Sequence, residues 1–292
     1  MNASPDIITI DVEEWFHGHN YLEAVRPEDW DTRESRVEKG MQICFDLLDR
    51  YQVKATFFVL GWTARRHPDL IRETVRRGHE IGCHSYSHPV VYEMTPDEFK
   101  ADTEQALDTL AAAGTTEVLG YRAPSFSITP PVHRYLEILQ DLGFQYDCSI
   151  FPVHHPRYGQ PDSPRHAFKL DDQRDSLIGI PMPTWRFLGL NIPFSGGGYL
   201  RWLPQPAFSV LRSGARRQGI PCIVYAHPWE LDDFRPQSAV GKTTSLRSQG
   251  GQATMPRKLE AVLSEGEFLT LGQYADQLRK LGNLPVWPGH AE

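Results

Sequence analysis

The chain has 292 residues, with 30 lysines and arginines against 37 aspartates and glutamates, so its formal net charge is −7. A hydrophobic fraction of 40% and a charged fraction of 23% are ordinary for a globular protein. They exclude collagen-like, coiled-coil and wholly disordered chains. The negative charge argues against a general binder of nucleic acid or of anionic membranes.

The cysteines and the N-terminus bear on the compartment. Cys44, Cys83, Cys148 and Cys222 form no CxxC pair, which favours four reduced, buried thiols over a disulfide scaffold. The first residues lack the basic and apolar regions of a signal peptide, and no apolar stretch approaches the roughly 20 residues that span a bilayer. We therefore expect a cytoplasmic protein with no membrane span.

Hydrophobic patterning predicts strands that alternate with helices along the chain. The predicted strands are residues 7–12, 53–60, 79–83, 118–121, 144–148, 177–181, 221–225 and 268–271. The predicted helices are residues 33–51, 64–77, 96–113, 131–142, 204–218, 256–263 and 272–281. This alternation is typical of an α/β fold around a parallel sheet, and periodicity leaves open whether the sheet is doubly wound or a barrel.

Residues 235–258 interrupt the alternation. They contain five basic residues and no acidic one, with a centre rich in serine, glutamine and glycine. This composition predicts a long, mobile surface loop. It is either a disordered connector or a basic flap over a substrate.

Two histidines and two acids suggest a metal site. His84 and His88 follow a predicted strand, and their i, i+4 spacing would place them on one face of a helical turn. Asp11 and Glu13 end the first strand and should share a face, because side chains alternate across a strand. Two histidines with one carboxylate form a set that suits Zn²⁺ or a similar divalent metal, which leaves one carboxylate free.

Two further residues follow predicted strands. Arg122 could pair with Asp11 and hold it ionised. His227 comes directly after an apolar strand, a position where α/β folds place functional groups. Each feature alone could also be structural: a surface arginine or a satisfied histidine.

Together these residues resemble the polysaccharide deacetylases, carbohydrate esterase family 4, also called the NodB-homology domain. The matching segments are Thr9–Glu13, His84–His88, Arg122–Phe126 and Val224–His227, with a poor fourth motif around Asp147. Further segments, among them Ser195–Tyr199, resemble a subfamily found with bacterial exopolysaccharide and exosortase loci. The resemblance implies a distorted (β/α) barrel, a catalytic domain at residues 1–230, and a C-terminal extension at residues 231–292 packed on it.

The implied reaction is metal-dependent hydrolysis of an N-acetyl group on a sugar. Strand alternation selects Glu13 as metal ligand beside His84 and His88, and Asp11 as general base. The resemblance implies zinc, with cobalt or nickel as alternatives, and an N-acetylated sugar as partner; a homo-oligomer is left open. The other expected roles are Arg122 paired with the base, His227 as general acid, Tyr121 as backbone oxyanion donor, and Pro124, Phe126, Asp147, Trp185, Tyr199 and Trp229 as substrate-binding residues.

Two departures from the family pattern keep alternatives open. The usual adjacent aspartates are here Asp11 and Glu13, as in a branch with allantoinase-like members, so an amidohydrolase of a small cyclic amide or imide is a second candidate. A degenerate, noncatalytic carbohydrate-binding member is a third. The fourth motif has Phe151 but no tryptophan, which leaves one pocket wall undefined. Asp147 is the expected carboxylate partner of His227, because Glu230 and Asp232 follow Pro228 and were expected to point away.

Overall fold

The computed structural model describes residues 5–18, 21, 24–235 and 249–287. The strands in this part of the chain are β1 (Asp6–Val12), β2 (Thr56–Val59), β3 (Glu80–Cys83), β4 (Gly120–Tyr121), β5 (Tyr146–Asp147), β6 (Phe168–Lys169), β7 (Ile178–Gly179), β8 (Thr184–Phe187), β9 (Leu190–Pro193), β10 (Cys222–Ala226) and β11 (Phe268–Leu269). The α-helices are α1 (Val37–Arg50), α2 (Gly61–Arg66), α3 (Pro68–Arg76), α4 (Pro96–Ala112), α5 (Tyr135–Asp141), α6 (Gly197–Trp202), α7 (Gln205–Arg217), α8 (Pro228–Leu231), α9 (Met255–Leu263) and α10 (Leu271–Leu281).

One curled sheet organises the molecule. Its strand order is β10-β1-β2-β3-β4-β5-β7-β6, and β11 also pairs with β1. Every pairing is parallel except the one between β6 and β7. Connecting helices cover the sheet, so the prediction of an α/β fold of the distorted (β/α) barrel type is confirmed. In the described residues β6 and β10 lie at opposite edges, which makes the sheet a half-barrel.

β1 is the centre of the core. All seven of its residues are buried, because β10 and β2 flank it and helices cover it. A strand buried on both faces reads as a continuous apolar run, as residues 7–10 largely do. Asp11, near the carboxyl end of β1, is an exception, because a buried carboxylate is stable only with a charged or hydrogen-bonding partner. All four cysteines are buried and unpaired, as predicted.

The structure corrects several predicted boundaries. The helix predicted at residues 64–77 is two helices, α2 and α3, because Pro68 lacks an amide hydrogen and starts a new helix. The helix predicted at residues 131–142 is α5 preceded by a 3₁₀ turn at Pro130–Val132. A capping box formed by Thr95 and Glu98 opens α4, at the start predicted for the helix at residues 96–113.

The loop predicted at residues 235–258 is wrong at its C-terminal part. Gln252–Thr254 form a 3₁₀ helix and α9 begins at Met255, which is fully buried. The side-chain amide of Gln252 donates to the Trp229 carbonyl at 2.5 Å, so this part is fixed to the barrel. Residues 236–248 lie outside the described residues. The division of the chain at residue 230 stays a prediction.

The sequence patterns missed a separate β-hairpin. β8 and β9 pair antiparallel, with Thr184 opposite Pro193 and Phe187 opposite Leu190. They are not part of the main sheet. After β9, the glycine run at residues 196–198 opens α6, and Gly197 and Gly198 line a cleft of the protein.

Candidate active site

The expected acids meet in a cleft at the carboxyl ends of the strands. Asp11 lies near the end of β1, and Glu13 follows the strand with its backbone amide donating to the Asp11 carbonyl at 3.0 Å. Both carboxylates line a cleft of about 180 Å³ together with His84, His88 and His227. Both are almost fully buried. Two buried acids side by side require cationic partners.

The two histidines reach this cleft by a different backbone path from the one expected. Residues 84–88 form no helical turn; they follow β3 as a loop in which Ser85 and His88 have positive φ angles of 71° and 59°. Non-glycine residues rarely adopt this conformation, and such strain is concentrated at functional sites. The i, i+4 spacing therefore identified the right pair of histidines through the wrong geometry.

Glu13, His84 and His88 offer the donor set of a divalent metal. One ligand atom from each lies within 4.8 Å of the other two, and all three residues are buried. The Glu13 Oε2 atom is 3.0 Å from His88 Nε2. The Nδ1 atom of His84 is 2.7 Å from the Arg122 carbonyl oxygen, so Nδ1–H donates there and Nε2 keeps a free lone pair. A carboxylate and two such imidazoles fit Zn²⁺ or a similar ion.

Arg122 pairs with Asp11, as expected. Its Nη1 donates to Asp11 Oδ1 at 2.6 Å and to the Thr9 hydroxyl at 2.8 Å. The guanidinium is fully buried and lies 4.3 Å from the centre of the Phe58 ring. A buried guanidinium needs such a charged partner, so Asp11 and Arg122 form one unit. This pairing fixes the orientation of the Asp11 carboxylate.

His227 has a carboxylate partner that the sequence analysis assigned wrongly. Its Nδ1 lies 2.8 Å from Glu230 Oε2, while Glu230 Oε1 is 3.0 Å from Nε of Arg201. Pro228 starts the short helix α8, and Glu230 at its third position turns back and accepts from the His227 amide at 2.9 Å. Asp147 instead accepts from Ser149, its amide at 3.0 Å and its hydroxyl at short range.

The surrounding charges set the protonation of these groups. Burial would lower the pKa of His227, but the carboxylates of Glu230 and Glu13 outweigh it and raise the pKa to about 9. Burial would raise the pKa of Glu13, but the positive charges of His88 and His227 hold it well below its usual range. Burial lowers the pKa of His84 to about 4. The cleft thus combines a cationic His227 with a His84 that is neutral at neutral pH, the form that binds metal.

In the part of the chain that the structure describes, six predicted site residues do not line the cleft. They are Tyr121, Arg122, Pro124, Asp147, Trp185 and Tyr199. Tyr121 is fully buried within the sheet, paired with Cys83 on one side and Asp147 on the other. It is therefore not placed to offer a backbone amide to a ligand. Pro124 is buried, although its neighbours Ala123 and Ser125 line the cleft.

Trp185 was expected to bind substrate but does not line the cleft. It lies on β8 and packs on Gly214 of α7, where an added Cβ would come within 2.5 Å of the indole nitrogen. Tyr199 contributes indirectly, because its hydroxyl is 3.1 Å from that of Tyr158, which lines the cleft. Two expected contacts, Phe126 and Trp229, do line it.

Aromatic rings form the walls of the cleft. The Trp229 indole stacks on the His227 ring with centroids 5.2 Å apart and planes at 20°. Phe126 packs edge-on against Tyr225 and lies 6.0 Å from Tyr158. Phe151 stacks on Tyr158 from behind, which defines the wall that the fourth motif left open. Sequence patterns gave no signal for Tyr158, which lies in a loop.

Comparison with protein-family models divides the chain in two. Residues 32–146 match a model described as polysaccharide deacetylase, and they carry His84, His88 and Arg122. The chain contains a polysaccharide deacetylase domain. Residues 148–276 match a domain of unknown function, DUF3473, which carries His227 and Glu230. The site therefore draws on both matched regions and on β1, which precedes them.

Curated relatives of the deacetylase domain include cell-wall enzymes. A peptidoglycan-N-acetylglucosamine deacetylase of Bacillus cereus is 40% identical over 95 residues, 32% of this chain and 31% of the relative. The peptidoglycan-N-acetylglucosamine deacetylase PgdA of Listeria monocytogenes is 42% identical over 53 residues, 18% of this chain and 11% of the relative. The chain thus matches less than a third of the length of these relatives.

A solved structure extends the fold comparison to the whole chain. The crystal structure of a candidate polysaccharide deacetylase from Mycobacterium smegmatis covers 100% of this chain and 96% of its own, with a TM-score of 0.67 and 20% identity. This similarity shows the shared fold. Within the described residues, no helix is long and apolar enough to cross a membrane.

Proposed function

We propose that this protein hydrolyses the N-acetyl group of an N-acetylated sugar, using one divalent metal ion held by Glu13, His84 and His88. The observation that supports it most is the convergence of three chemical groups on one cleft: a metal donor set, the free carboxylate of Asp11, and the cationic imidazole of His227. Metal-assisted amide hydrolysis uses these three groups together. A noncatalytic carbohydrate-binding protein would have no use for the base and the acid.

The donor set favours zinc, and cobalt and nickel remain alternatives with the same ligands. When bound, the ion supplies Lewis-acid chemistry, which polarises the acetyl carbonyl and makes water more acidic. The protein's own contribution is to keep the ligands in place. His84 is held through the hydrogen bond of its Nδ1 to the Arg122 carbonyl, which leaves its Nε2 free to bind the ion.

Asp11 acts as general base. It lies in the cleft, and it is not part of the Glu13–His84–His88 set. Arg122 occupies Oδ1, which leaves Oδ2 to accept the proton of the attacking water. Arg122 is a positioning residue, because it touches the base and not the substrate.

His227 acts as general acid. Hydrolysis adds water across the amide C–N bond and gives acetate and a free amine, and the leaving nitrogen must receive a proton. Nδ1 of His227 faces Glu230, so the proton is delivered from Nε2, which lies 3.5 Å from Glu13 Oε1. The negative charge of Glu230 keeps the imidazole charged until the amine leaves.

The oxyanion donor proposed here is the backbone amide of Ser125 in place of Tyr121. Ser125 lines the cleft and has a φ angle of 53°. It is the residue with non-helical backbone in the short 3₁₀ segment Pro124–Phe126, and the next amide, that of Phe126, already donates to the Ala123 carbonyl at 3.0 Å. The neighbouring Ala123 amide is already bonded to the Ser149 hydroxyl at 2.8 Å.

The cleft suits one end of a larger substrate. At about 180 Å³ it is smaller than the roughly 300–1,000 Å³ of pockets that enclose whole small molecules. An acetyl group fits, and the sugar ring would rest against Trp229 and Phe126 at the rim. A sugar chain would extend beyond the cleft, whereas a small cyclic amide or imide would be held within it, and the panel assay described below distinguishes the two.

The named relatives act on peptidoglycan N-acetylglucosamine, so this sugar is the first substrate to test. A role in bacterial exopolysaccharide or cell-surface glycan synthesis, and a cytoplasmic location, remain predictions.

A panel assay tests the proposal. Acetate release would be measured with chitooligosaccharides, peptidoglycan fragments and small cyclic imides, with the Asp11→Asn variant as the matched control. We expect acetate from at least one N-acetylated sugar, none from the variant, and no ring opening of imides. Imide ring opening without acetate release would show that the protein is an amidohydrolase of cyclic imides and not a sugar deacetylase.

A further inference from the structure

The β8–β9 hairpin carries an exposed apolar tip. Phe187, Leu188 and Leu190 are 48%, 86% and 58% exposed, although each is a large hydrophobic side chain. They are consecutive at the turn, apart from Gly189. Single exposed apolar residues are ordinary, but three at the end of one projecting hairpin form a patch that requires a partner.

The turn itself favours another residue. Leu188 and Gly189 have φ angles of 49° and 83° between the paired residues Phe187 and Leu190, which defines a two-residue turn of type I′. Asparagine is preferred at the first of these positions, and a bulky residue with positive φ is an outlier. Leu188 is thus unfavourable for both the backbone and the exposed surface. Its side chain is therefore a candidate for a contact outside this chain.

The base of the hairpin is held firmly, so the tip is presented as a fixed feature. The Gln218 side chain accepts from the Arg186 amide at 3.1 Å and donates to its carbonyl at 2.9 Å. Trp185 packs on Gly214 of α7, and Arg165 donates to the Thr184 carbonyl at 2.8 Å. These contacts place the apolar tip beyond a hydrogen-bonded base.

The charge around the hairpin differs from that of the whole protein. Residues 176–229 contain five arginines and no aspartate or glutamate, in a chain with a net charge of −7. Three of them, Arg201, Arg212 and Arg216, form ion pairs with acids elsewhere in the chain. Arg186 on β8 and Arg217 on α7 are exposed. Arg217 lies one turn after Gly214, on which the hairpin packs. Arg186 therefore lies next to the tip, and Arg217 lies on the helix that packs against the base of the hairpin.

We propose that this hairpin docks the protein on an anionic lipid bilayer, with Phe187, Leu188 and Leu190 inserted between head groups and Arg186 and Arg217 facing lipid phosphates. Apolar side chains bounded by cations are the pattern of proteins that lie on membranes without crossing them. A protein partner fits less well, because three side chains on a turn cover far less than the about 800 Å² per partner of a stable interface.

The hairpin is close to the cleft along the chain. β9 ends at Pro193, and Gly197, which lines the cleft, follows four residues later. Four residues span at most about 14 Å. Docking would therefore hold the cleft near the bilayer surface. The docking does not depend on the proposed reaction and would stand if the substrate were a different amide.

Vesicle sedimentation of the full chain tests the proposal. The probes are vesicles of phosphatidylcholine alone and of phosphatidylcholine with about one third phosphatidylglycerol, at low and high salt. Wild-type protein should bind the anionic vesicles at low salt. Leu188→Asn should weaken this binding about tenfold or more, and Arg186→Gln about fivefold on anionic vesicles only.

The controls separate docking from folding and from catalysis. Leu188→Asn places a favoured residue at the turn, so its thermal melting temperature should equal or exceed that of wild type. Leu281→Asn removes an apolar side chain of similar exposure, 68%, on α10 and should leave binding unchanged. Acetate release from a soluble chitooligosaccharide should be the same in all three proteins.

Three results would overturn the docking surface: no binding of wild type to anionic vesicles, equal binding by Leu188→Asn, or equal loss with Leu281→Asn. A wild-type dimer in sedimentation velocity that Leu188→Asn dissolves, without vesicle binding, would show that a second copy covers the tip instead.

Discussion

Nδ1 of His227 lies 2.8 Å from Oε2 of Glu230, and the two residues are the N-cap and third position of the same short helix. The pair gives the imidazole a carboxylate partner within its own turn of chain. Arg201 contacts the other oxygen of Glu230 at 3.0 Å, so both carboxylate oxygens have a partner. The protonation of the proposed acid therefore depends on a local contact.

Removing this charge should shift the pH dependence of turnover. Burial opposes a charged His227, while Glu230 and Glu13 raise its pKa to about 9. A general acid works while protonated, so the rate should fall as pH rises through this value. Glu230→Gln keeps the shape but removes the charge, and the alkaline limb should move to lower pH. A pH–kcat profile with an unmoved limb would show that another group is the acid.

His227→Ala should cut kcat by roughly 10²–10⁴ on an N-acetylated sugar. The loss should be far smaller on an activated acetyl ester, because a good leaving group needs little protonation. Parallel kinetics on the two substrates measure the difference. Equal losses would mean that His227 binds the carbonyl or the substrate and donates no proton.

Asp11→Asn should abolish turnover and retain metal, because an amide cannot accept the proton of water. Arg122 would still find an oxygen acceptor, so the fold should persist. Metal content by elemental analysis separates the base from a ligand. Metal loss equal to that of the histidine variants would mean that Asp11 and Glu13 exchange roles.

His84→Ala and His88→Ala should each lose metal and activity while the circular dichroism spectrum is unchanged. The reason is that the two imidazoles and Glu13 are the donor set, and neither histidine belongs to the two main apolar clusters. Val90→Ala, a nearby buried position outside the cleft, serves as the structural control. Stoichiometric metal in the double histidine variant would reject the site.

Asp147 gives a prediction on stability. Burial raises its pKa to about 6, above the roughly 3.9 of an unfolded aspartate. The folded state then binds more protons than the unfolded state between these values, so its contribution to stability is present at low pH and is lost as pH rises through about 6. Asp147→Asn should flatten this part of the profile of unfolding free energy against pH, measured by urea denaturation. An unchanged slope would contradict the assignment.

The sequence predicted the residues of the site better than their contacts. Parallel strands deliver their carboxyl ends to one edge, so the positions of Asp11, Arg122 and His227 followed from strand patterns alone. His84 and His88 were found by spacing, although Ser85 and His88 adopt left-handed backbone that no pattern indicated. Local periodicity has no means of predicting such a loop.

Glu230, the carboxylate partner of His227, could have been predicted from a helix-capping pattern in the sequence. A residue at the N-cap followed by proline and then an acid at the third position opens α4 at Thr95 and Glu98. The same arrangement occurs at His227 and Glu230, but histidine is not a usual capping residue. Trp185 was misassigned for a different reason. It packs on α7 because it belongs to the β8–β9 hairpin, and the short strands of this hairpin, which contain glycine and proline, gave no recognisable strand pattern.

The most direct test of the central claim is the paired measurement of acetate and free amine from an N-acetylglucosamine oligomer. The chelated protein would be compared with the same protein after zinc is restored, and Asp11→Asn would be treated in parallel. We predict acetate and amine in a one-to-one ratio that disappears on chelation, returns with zinc, and is absent from the variant at full metal content. Acetate release that persists after complete metal removal, or in metal-loaded Asp11→Asn, would contradict the account.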